Sequence, residues 1–265
     1  MKRKMKIHLD YLHLNGFIAD TIDNFATQGH IIQNHRNEIK IFEHGKYKFV
    51  VKSFKKITIA NRIIYKFLRK SKARRSYENA LRLLDLKIGT PFPVAYVEES
   101  SGLFLKNSYF ISCFVEHQTA DKHLTESSDV PFLEAMGAFL FNLHKKKKEV
   151  FHYDLHTSNI LTIKDSKGKI DFCLVDINRL KFKKPTKKRR VKNLNRLSLP
   201  FDQYSILISK YAEMAEFDVF SFAHKQLYQR KKYQIFRQIK SLFKDFYKKN
   251  VATAISRNTR KEAVD

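Results

Sequence analysis

Tryptophan is absent from this chain of 265 residues, and cysteine, proline and glycine are scarce, at two, five and seven. Each cysteine, Cys113 and Cys173, sits in an apolar run. Two such residues do not make a secreted disulfide framework, and they read as buried thiols of a reducing compartment. The few glycines and prolines exclude a linker-rich or low-complexity chain. No run approaches the ~20 apolar residues of a membrane-spanning helix. The opening MKRKMKIHLDYLHLNG has neither the apolar core nor the small-residue cleavage site of a secretory signal. Any membrane contact is therefore expected to be peripheral. The 11 histidines form no H-E-x-x-H pattern and the cysteines no C-x-x-C, so no structural zinc is expected. Acid is also in short supply, with 26 Asp and Glu against 52 Lys and Arg, a formal charge of +26. Such a field attracts polyanions, whether nucleic acid, anionic lipid headgroups or charged glycans.

What is present begins with packing material, 23 Phe and 12 Tyr, in a chain long enough for one large domain or two small lobes. Glu38 to Phe42 and Tyr47 to Val51 read as a hairpin around His44-Gly45. A basic amphipathic piece follows at 57–70. Lys72 to Leu86 reads as a helix with Tyr77, Leu81 and Leu84 on one stripe, stopped by Gly89 with Pro91 and Pro93. Strands are expected at Val94 to Glu98 and Leu103 to Val115. A helix follows from Pro131, with Leu133, Met136, Leu140 and Leu143 at helical spacing. Val150 and Phe151 form a short strand. Ile160 to Ile163 and Phe172 to Val175 form a hairpin around Lys167-Gly168. Two C-terminal helices close the chain, the second with Phe236, Ile239, Phe243 and Phe246 as its buried face. No internal repeat occurs. This order predicts an α+β, bilobal fold: a small β-rich lobe over residues 1–116, a larger helical lobe over 117–265, and a cleft between them.

The chemistry concentrates in FHYDLHTSNIL followed by FCLVDINR. His152, Asp154 and Asn159 form H-x-D-x-x-x-x-N, and Asp176 ends the strand after the next hairpin. An isolated Asp or Asn among polar residues is most often a turn former. The spaced set is specific, because phosphoryl transfer requires these parts. One carboxylate, Asp154, orients the acceptor hydroxyl and takes its proton. An amide oxygen, Asn159, and a second carboxylate, Asp176, hold Mg²⁺ against the phosphates of ATP. Upstream, Lys52 closes an apolar strand where a kinase places its phosphate-binding lysine, although a solvated strand-end lysine would look the same. Glu78 lies on the following helix as the candidate ion-pair partner of Lys52. Its alternative is a surface i,i+4 pair with Arg74 or Arg82.

Together NEIKIFEHGKYKFVVKSFK, KARRSYENALRLLDLKIGTPFPVAYVE, HYDLHTSNIL and LVDINRLKF resemble the lipopolysaccharide-core kinases that phosphorylate Kdo or heptose, a branch of the protein-kinase-like superfamily. The resemblance runs from about Asn37 to Phe220. It implies that Lys52 and Glu78 clamp the nucleotide phosphates, that Asp154 is the base, and that Asn159 and Asp176 are the metal ligands. His156, where protein kinases carry lysine, is more like the small-molecule kinases. The chain departs from protein kinases in lacking G-x-G-x-x-G. The candidate loop GHIIQNHRNE has only Gly29, leaving Asn34, Arg36 or Asn37 to meet phosphate.

Ten basic residues and no acidic one lie between Arg179 and Arg196, in the segment that binds substrate in a kinase fold. His156, Arg179, Lys183 and Lys184 are therefore the candidates for an anionic acceptor. Leu180, Phe182, Val191 and Leu194 are the candidates for dipping into a lipid interface. The expected partners are an anionic lipid-linked sugar and an anionic membrane surface, on the cytoplasmic side of an inner membrane. An antibiotic-type kinase is the nearest enzymatic alternative, and its cationic acceptors suit an acidic pocket better than this basic one. An RNA-binding protein would share the charge but not the spaced His-Asp-Asn-Asp set, so no nucleic-acid partner is expected.

Overall fold

The computed structural model describes residues 2–34, 37–54, 70–102, 104–126, 129–164 and 170–261. Strands β1 (Lys2–Ile7), β2 (His30–Asn34), β3 (Glu38–His44), β4 (Tyr47–Ser53), β5 (Pro93–Ser101) and β6 (Phe104–Cys113) form one antiparallel sheet. Their order across it is β1-β5-β6-β4-β3-β2. The expected hairpin of β3 and β4 is present, and the expected strands β5 and β6 pair as another, with Gly45 and Gly102 supplying positive φ in the two turns. β1 goes beyond the sequence reading. In KRKMKI, Arg3, Met5 and Ile7 are half-buried between exposed lysines. Such a pattern hides an edge strand, and its exposed lysines discourage further edge pairing.

Helix α1 (Asn15–Asp23) lies on one face of this sheet. It brings Ile18 and Ile22, with Leu14 and Phe25 beside it, against Phe42, Phe49, Val51 and Ile111. Lys40 points into this layer and is buried, and its Nζ donates to the carbonyls of Phe25 at 2.6 Å and Gln28 at 3.0 Å. Those carbonyls belong to the turn after α1, and with the Glu38 carboxylate at 3.4 Å they compensate the buried cation. Gly29 has φ +84°, and a Cβ there would meet the Phe42 ring at 2.6 Å. The glycine of the expected phosphate loop is thus consumed by packing.

Helix α2 (Lys72–Asp85) covers the other face. Ser71 caps it by accepting from the Arg74 N–H at 3.0 Å, and Tyr77 packs edge-on to Tyr96. Its buried stripe is Ala73, Ser76, Tyr77, Ala80 and Leu83, while Leu81 and Leu84 are only half-buried. The helix is stopped by Lys87 in the left-handed region (φ 53°), with the Ile88 N–H reaching back to the Leu83 carbonyl at 2.9 Å. Gly89, expected as the stop, instead allows close approach to a strand of the other lobe. Its carbonyl accepts from the Leu174 N–H at 2.8 Å, and a Cβ would collide with the Phe172 carbonyl oxygen.

The C-terminal part contains β7 (Gln118–Thr119), α3 (Ala120–Glu126), α4 (Val130–Leu143), β8 (Val150–His152), β9 (Ile160–Lys164), β10 (Ile170–Leu174), β11 (Leu180–Phe182), α5 (Lys187–Leu194), α6 (Phe201–Met214) and α7 (Val219–Lys261). The expected stripe Leu133, Met136, Leu140 and Leu143 is buried in a core shared with Leu207, Ile208 and Tyr211 of α6. Gly137 lets α4 and α6 approach closely, since a Cβ there would lie 2.6 Å from the Leu207 carbonyl oxygen. β9 and β10 form the expected hairpin. Its Lys167-Gly168 turn lies outside the described residues, as do Arg36 and almost all of the 57–70 piece.

Two expectations are corrected. Leu180, Val191 and Leu194 do not dip into an interface, because they are buried in the C-terminal core. Phe236, Ile239 and Phe243 are not a buried face either. They are 62%, 47% and 70% exposed, and α7 instead turns Phe222, Gln226 and Arg230 inward. The side chain of Phe246 lies outside the described residues.

Candidate active site

The H-x-D-x-x-x-x-N segment is the turn between β8 and β9, and Asp176 follows the end of β10. His152 ties the two together. Its Nε2 is 3.0 Å from the Val175 carbonyl oxygen, and its Nδ1 accepts from the Asp154 N–H at 3.1 Å. A neutral imidazole protonated on Nε2 satisfies both bonds, and burial lowers its pKa and favours that form. His152 is a strut, fully enclosed and unable to meet substrate.

Asn159 fixes the same turn, its Nδ2 donating to the Asp154 carbonyl at 2.8 Å. The amide nitrogen is thus committed, and the Oδ1 oxygen is the atom left to accept. Asp176 sits in the left-handed region at φ 51°. Its Oδ1 accepts from Lys52 Nζ at 2.7 Å and Asn178 Nδ2 at 2.6 Å. Burial alone pushes this carboxyl up, but the charge and hydrogen bond of Lys52, with His152 and Asn178, outweigh it and leave the pKa below the ordinary value. Asp154 pairs with Arg179, whose Nη1 donates to Oδ2 at 3.1 Å.

Lys52, Asn159 and Asp176 line one cavity of about 300 Å³ between the lobes. Its apolar walls are Ile39 and Val50 from the sheet and Leu161 and Leu174 from the β9–β10 hairpin. Asn37 reaches it, whereas Asn34 lies within β2. An apolar slot with a cation and a carboxylate at one end suits a planar base carrying a phosphate chain. Among the described residues no group of three or more His, Cys, Asp or Glu gathers as a metal site. One depressed carboxylate and one amide oxygen are nonetheless hard oxygen donors that fit a magnesium ion, which takes much of its shell from water and phosphate.

Glu78 is not brought to Lys52. It is held at 2.7 Å by Lys70 and at 2.9 Å by Arg74, the surface i,i+4 alternative. Burial raises its carboxyl, but the hydrogen bonds from Lys70 and Arg74 prevail and leave it below the ordinary range. Helix α2 communicates with the site through neighbours that sequence reasoning missed. Arg75 Nη1 donates to the Asn178 carbonyl at 2.9 Å, and Asn79 Nδ2 to the Ile177 carbonyl at 2.7 Å. Backbone carbonyls accept from many side chains, so no motif marks these two.

The acceptor candidates divide. His156 belongs to the β8–β9 turn and Arg179, after β10, pairs with its Asp154, but Lys183 and Lys184 are carried away from it. β11 runs antiparallel to β8, pairing Leu180 with His152 and Phe182 with Val150. The Lys183 backbone N–H therefore donates to the Glu149 carbonyl, roughly 10 Å of strand from His152. The chain returns through α5, where Asn193 Nδ2 donates to the His152 carbonyl at 2.7 Å. Next comes Arg196, whose Nη1 donates to the Tyr153 carbonyl at 2.9 Å. The far end of the basic run, rather than its middle, meets the catalytic turn.

Residues 41–207 match the profile of the lipopolysaccharide kinase (Kdo/WaaP) family. Among solved structures, "WaaP in complex with acyl carrier protein" is similar at 15% identity and a TM-score of 0.57, over 86% of this chain and 99% of that one. An aminoglycoside-3'-phosphotransferase of type VIII is similar at 10% identity and a TM-score of 0.52, over 80% of this chain and 98% of that one. Both share the kinase-like fold. A search of curated proteins finds no match.

Proposed function

The chain belongs to the lipopolysaccharide kinase (Kdo/WaaP) family, and on that premise we propose that it transfers the γ-phosphate of ATP to a hydroxyl of Kdo or heptose on a lipid A precursor. The carrying observation is that Lys52, Asn159 and Asp176 share one cleft, with Asp154 fixed to the same turn as Asn159. The nucleotide base would lie between Ile39 and Val50 on one side and Leu161 and Leu174 on the other. Lys52 would meet its phosphates. Asp154, steadied by Arg179, accepts the proton of the acceptor hydroxyl as its oxygen bonds to the γ-phosphorus and the bond to the bridging oxygen of ADP breaks. Asn159 and Asp176 would hold a magnesium ion, which when bound neutralises charge on the phosphates. The Lys52–Asp176 ion pair keeps the lysine and that carboxylate aligned across the cleft.

Among the described residues no helix is long and apolar enough to cross a membrane; in the proposed reading the lipid-borne acceptor is met at the cytoplasmic face of the inner membrane. The middle of the basic run is less suited to this than α7. That helix exposes Ile235, Phe236, Ile239, Leu242 and Phe243, with Lys231, Lys232 and Lys240 also exposed beside them. Apolar insertion combined with basic charge is the signature of a helix lying in an anionic interface.

The test is Asp154→Ala in a purified kinase assay, with mass spectrometry of lipid extracts from cells carrying either form. Loss of a general base costs about 10²- to 10⁴-fold in rate. The wild-type extract should gain one phosphate on the acceptor and the variant none. A folded variant that retains transfer would refute the assignment.

A further inference from the structure

A second cavity, about 390 Å³, opens beside the catalytic turn. Its walls are His156, the segment 195–198, and Tyr233, Gln234, Arg237 and Gln238 of α7. Its position follows from two connections. His156 stands two residues after Asp154, and its N–H donates to the Asp154 carbonyl at 3.0 Å. Arg196 is tied to the Tyr153 carbonyl, with its guanidinium 5.7 Å from the Tyr153 ring centroid. The cavity thus adjoins the turn that carries the proposed base, and it shares no lining residue with the nucleotide cleft.

Its charge is of one sign. Two arginines and a histidine line it, and no acidic residue does. Arg196 is half-buried and held at one Nη by the loop carbonyl, which leaves the rest of its planar fork available in a fixed orientation. Helix α7 is oriented unusually to complete this wall. At about 100° per residue, Arg230, Tyr233, Gln234 and Arg237 share one face, and Ile235, Ile239, Leu242 and Phe243 lie on the opposite one. The helix is anchored with its polar face inward through Arg230, which is buried and donates to the Leu199 carbonyl. A helix that serves only packing turns its apolar stripe to the core. Here Tyr233 is half-buried on the cavity wall and Gln234 and Arg237 line it while still exposed, and the large apolar side chains of the opposite face are left in solvent.

We infer that this cavity is the acceptor subsite, in which Arg196 and Arg237 bind an anionic group, carboxylate or phosphate, carried by the sugar whose hydroxyl faces Asp154. The inference rests on the kinase reading for the identity of the reaction, but the pocket and its ligand chemistry can be tested separately. The volume falls within the range of about 300–1,000 Å³ typical of small-molecule sites. Guanidinium forks recognise carboxylate and phosphate by paired hydrogen bonds, whereas a lysine acts as a point charge.

Calorimetric titration of the whole chain with free Kdo, its neutral methyl ester and a phosphorylated hexose provides the test. Kdo or the phosphorylated sugar should bind the wild type, and the ester should bind at least about tenfold more weakly. Preference between the first two tells a carboxylate from a phosphate site. Arg237→Gln should lower affinity for the anionic sugar about ten- to a hundredfold and leave the ester unaffected. Lys225→Gln, which removes one exposed charge from the same helix outside the cavity, should bind as the wild type does. The inference is overturned by a wild type that binds the acid and its ester alike and the phosphorylated sugar no better, by an Arg237→Gln variant that binds the preferred anion normally, by equal losses in Arg237→Gln and Lys225→Gln, or by a wild type that binds neither anion. Failure of the kinase reading looks different: anion binding with the expected Arg237 dependence, but no phosphate transfer to any sugar.

Discussion

His144 closes a chain of buried hydrogen bonds that supports the β8–β9 turn, and its protonation should be readable as stability. The side chain is fully buried, with Nδ1 2.8 Å from the Tyr211 hydroxyl and Nε2 3.0 Å from Asn193 Oδ1. An amide oxygen only accepts, so Nε2 carries the proton and Nδ1 accepts from Tyr211. Asn193 then passes the connection to the His152 carbonyl. Burial lowers the His144 pKa from 6.5 to about 4, with the Asn193 bond opposing and the Arg190 charge assisting. The unfolded chain binds a proton below about 6.5 that the folded chain refuses until about 4. Stability is therefore intact above pH 6.5 and falls as the pH drops through that window. At about 1.4 kcal/mol per pH unit, the loss from this one residue is about 3 kcal/mol. Urea unfolding of the wild type and His144→Phe, followed by circular dichroism at several pH values from 7 to 4, isolates it. The phenylalanine variant should be less stable at pH 7, because Tyr211 and Asn193 lose a partner. The difference should then shrink by about 3 kcal/mol by pH 4, while contributions common to both proteins, such as that of His152, cancel. Parallel stability curves would show that His144 titrates normally and refute the reasoning.

Two further outcomes follow from packing. Replacing Ile239, Leu242 and Phe243 together by Asp should weaken co-sedimentation with phosphatidylglycerol vesicles at least about a hundredfold, without lowering Tm, because all three are largely exposed. Unchanged vesicle binding would remove α7 from the membrane reading. Gly137→Ala should cost about 1–3 kcal/mol in urea unfolding, because the added methyl meets the Leu207 carbonyl and the Lys210 Cβ across the α4–α6 contact; a variant as stable as the wild type would show that those helices yield easily.

The clustering of the candidate set was legible because the chemistry proposed for it constrains spacing. Asp154 and Asn159 must share a turn, and Asp176 must return beside them on the next hairpin. The hairpins and α4 were legible because their apolar periods match strand and helix. Other features had no local signature. The i,i+4 geometry of Arg74 and Glu78 is as visible in sequence as a Lys52–Glu78 pair would be, and only the placement of α2 chooses between them. Arg75 and Asn79 act on backbone carbonyls, which impose no partner residue. The basic run is continuous in sequence but divided in space, because pairing of β11 with β8 takes Lys183 away while α5 brings Arg196 back.

The α7 stripe shows the limit most clearly, and its resolution bears on mechanism. A period of 3.6 establishes that a helix has an apolar side but not which way that side faces. In this chain Phe222, Gln226 and Arg230 fix the inward face, and the stripe is directed to solvent. An enzyme with a freely diffusing acceptor gains nothing from such an arrangement, since exposed phenylalanine and leucine promote aggregation. An enzyme whose acceptor is anchored in lipid gains on both faces. If the apolar face lies in the bilayer surface, the opposite face, which carries Tyr233 and Arg237, is held about one helix diameter, roughly 10 Å, above it. Substitutions on the apolar face should then lower turnover of lipid-linked acceptor while sparing a water-soluble one. Substitutions on the polar face should impair both.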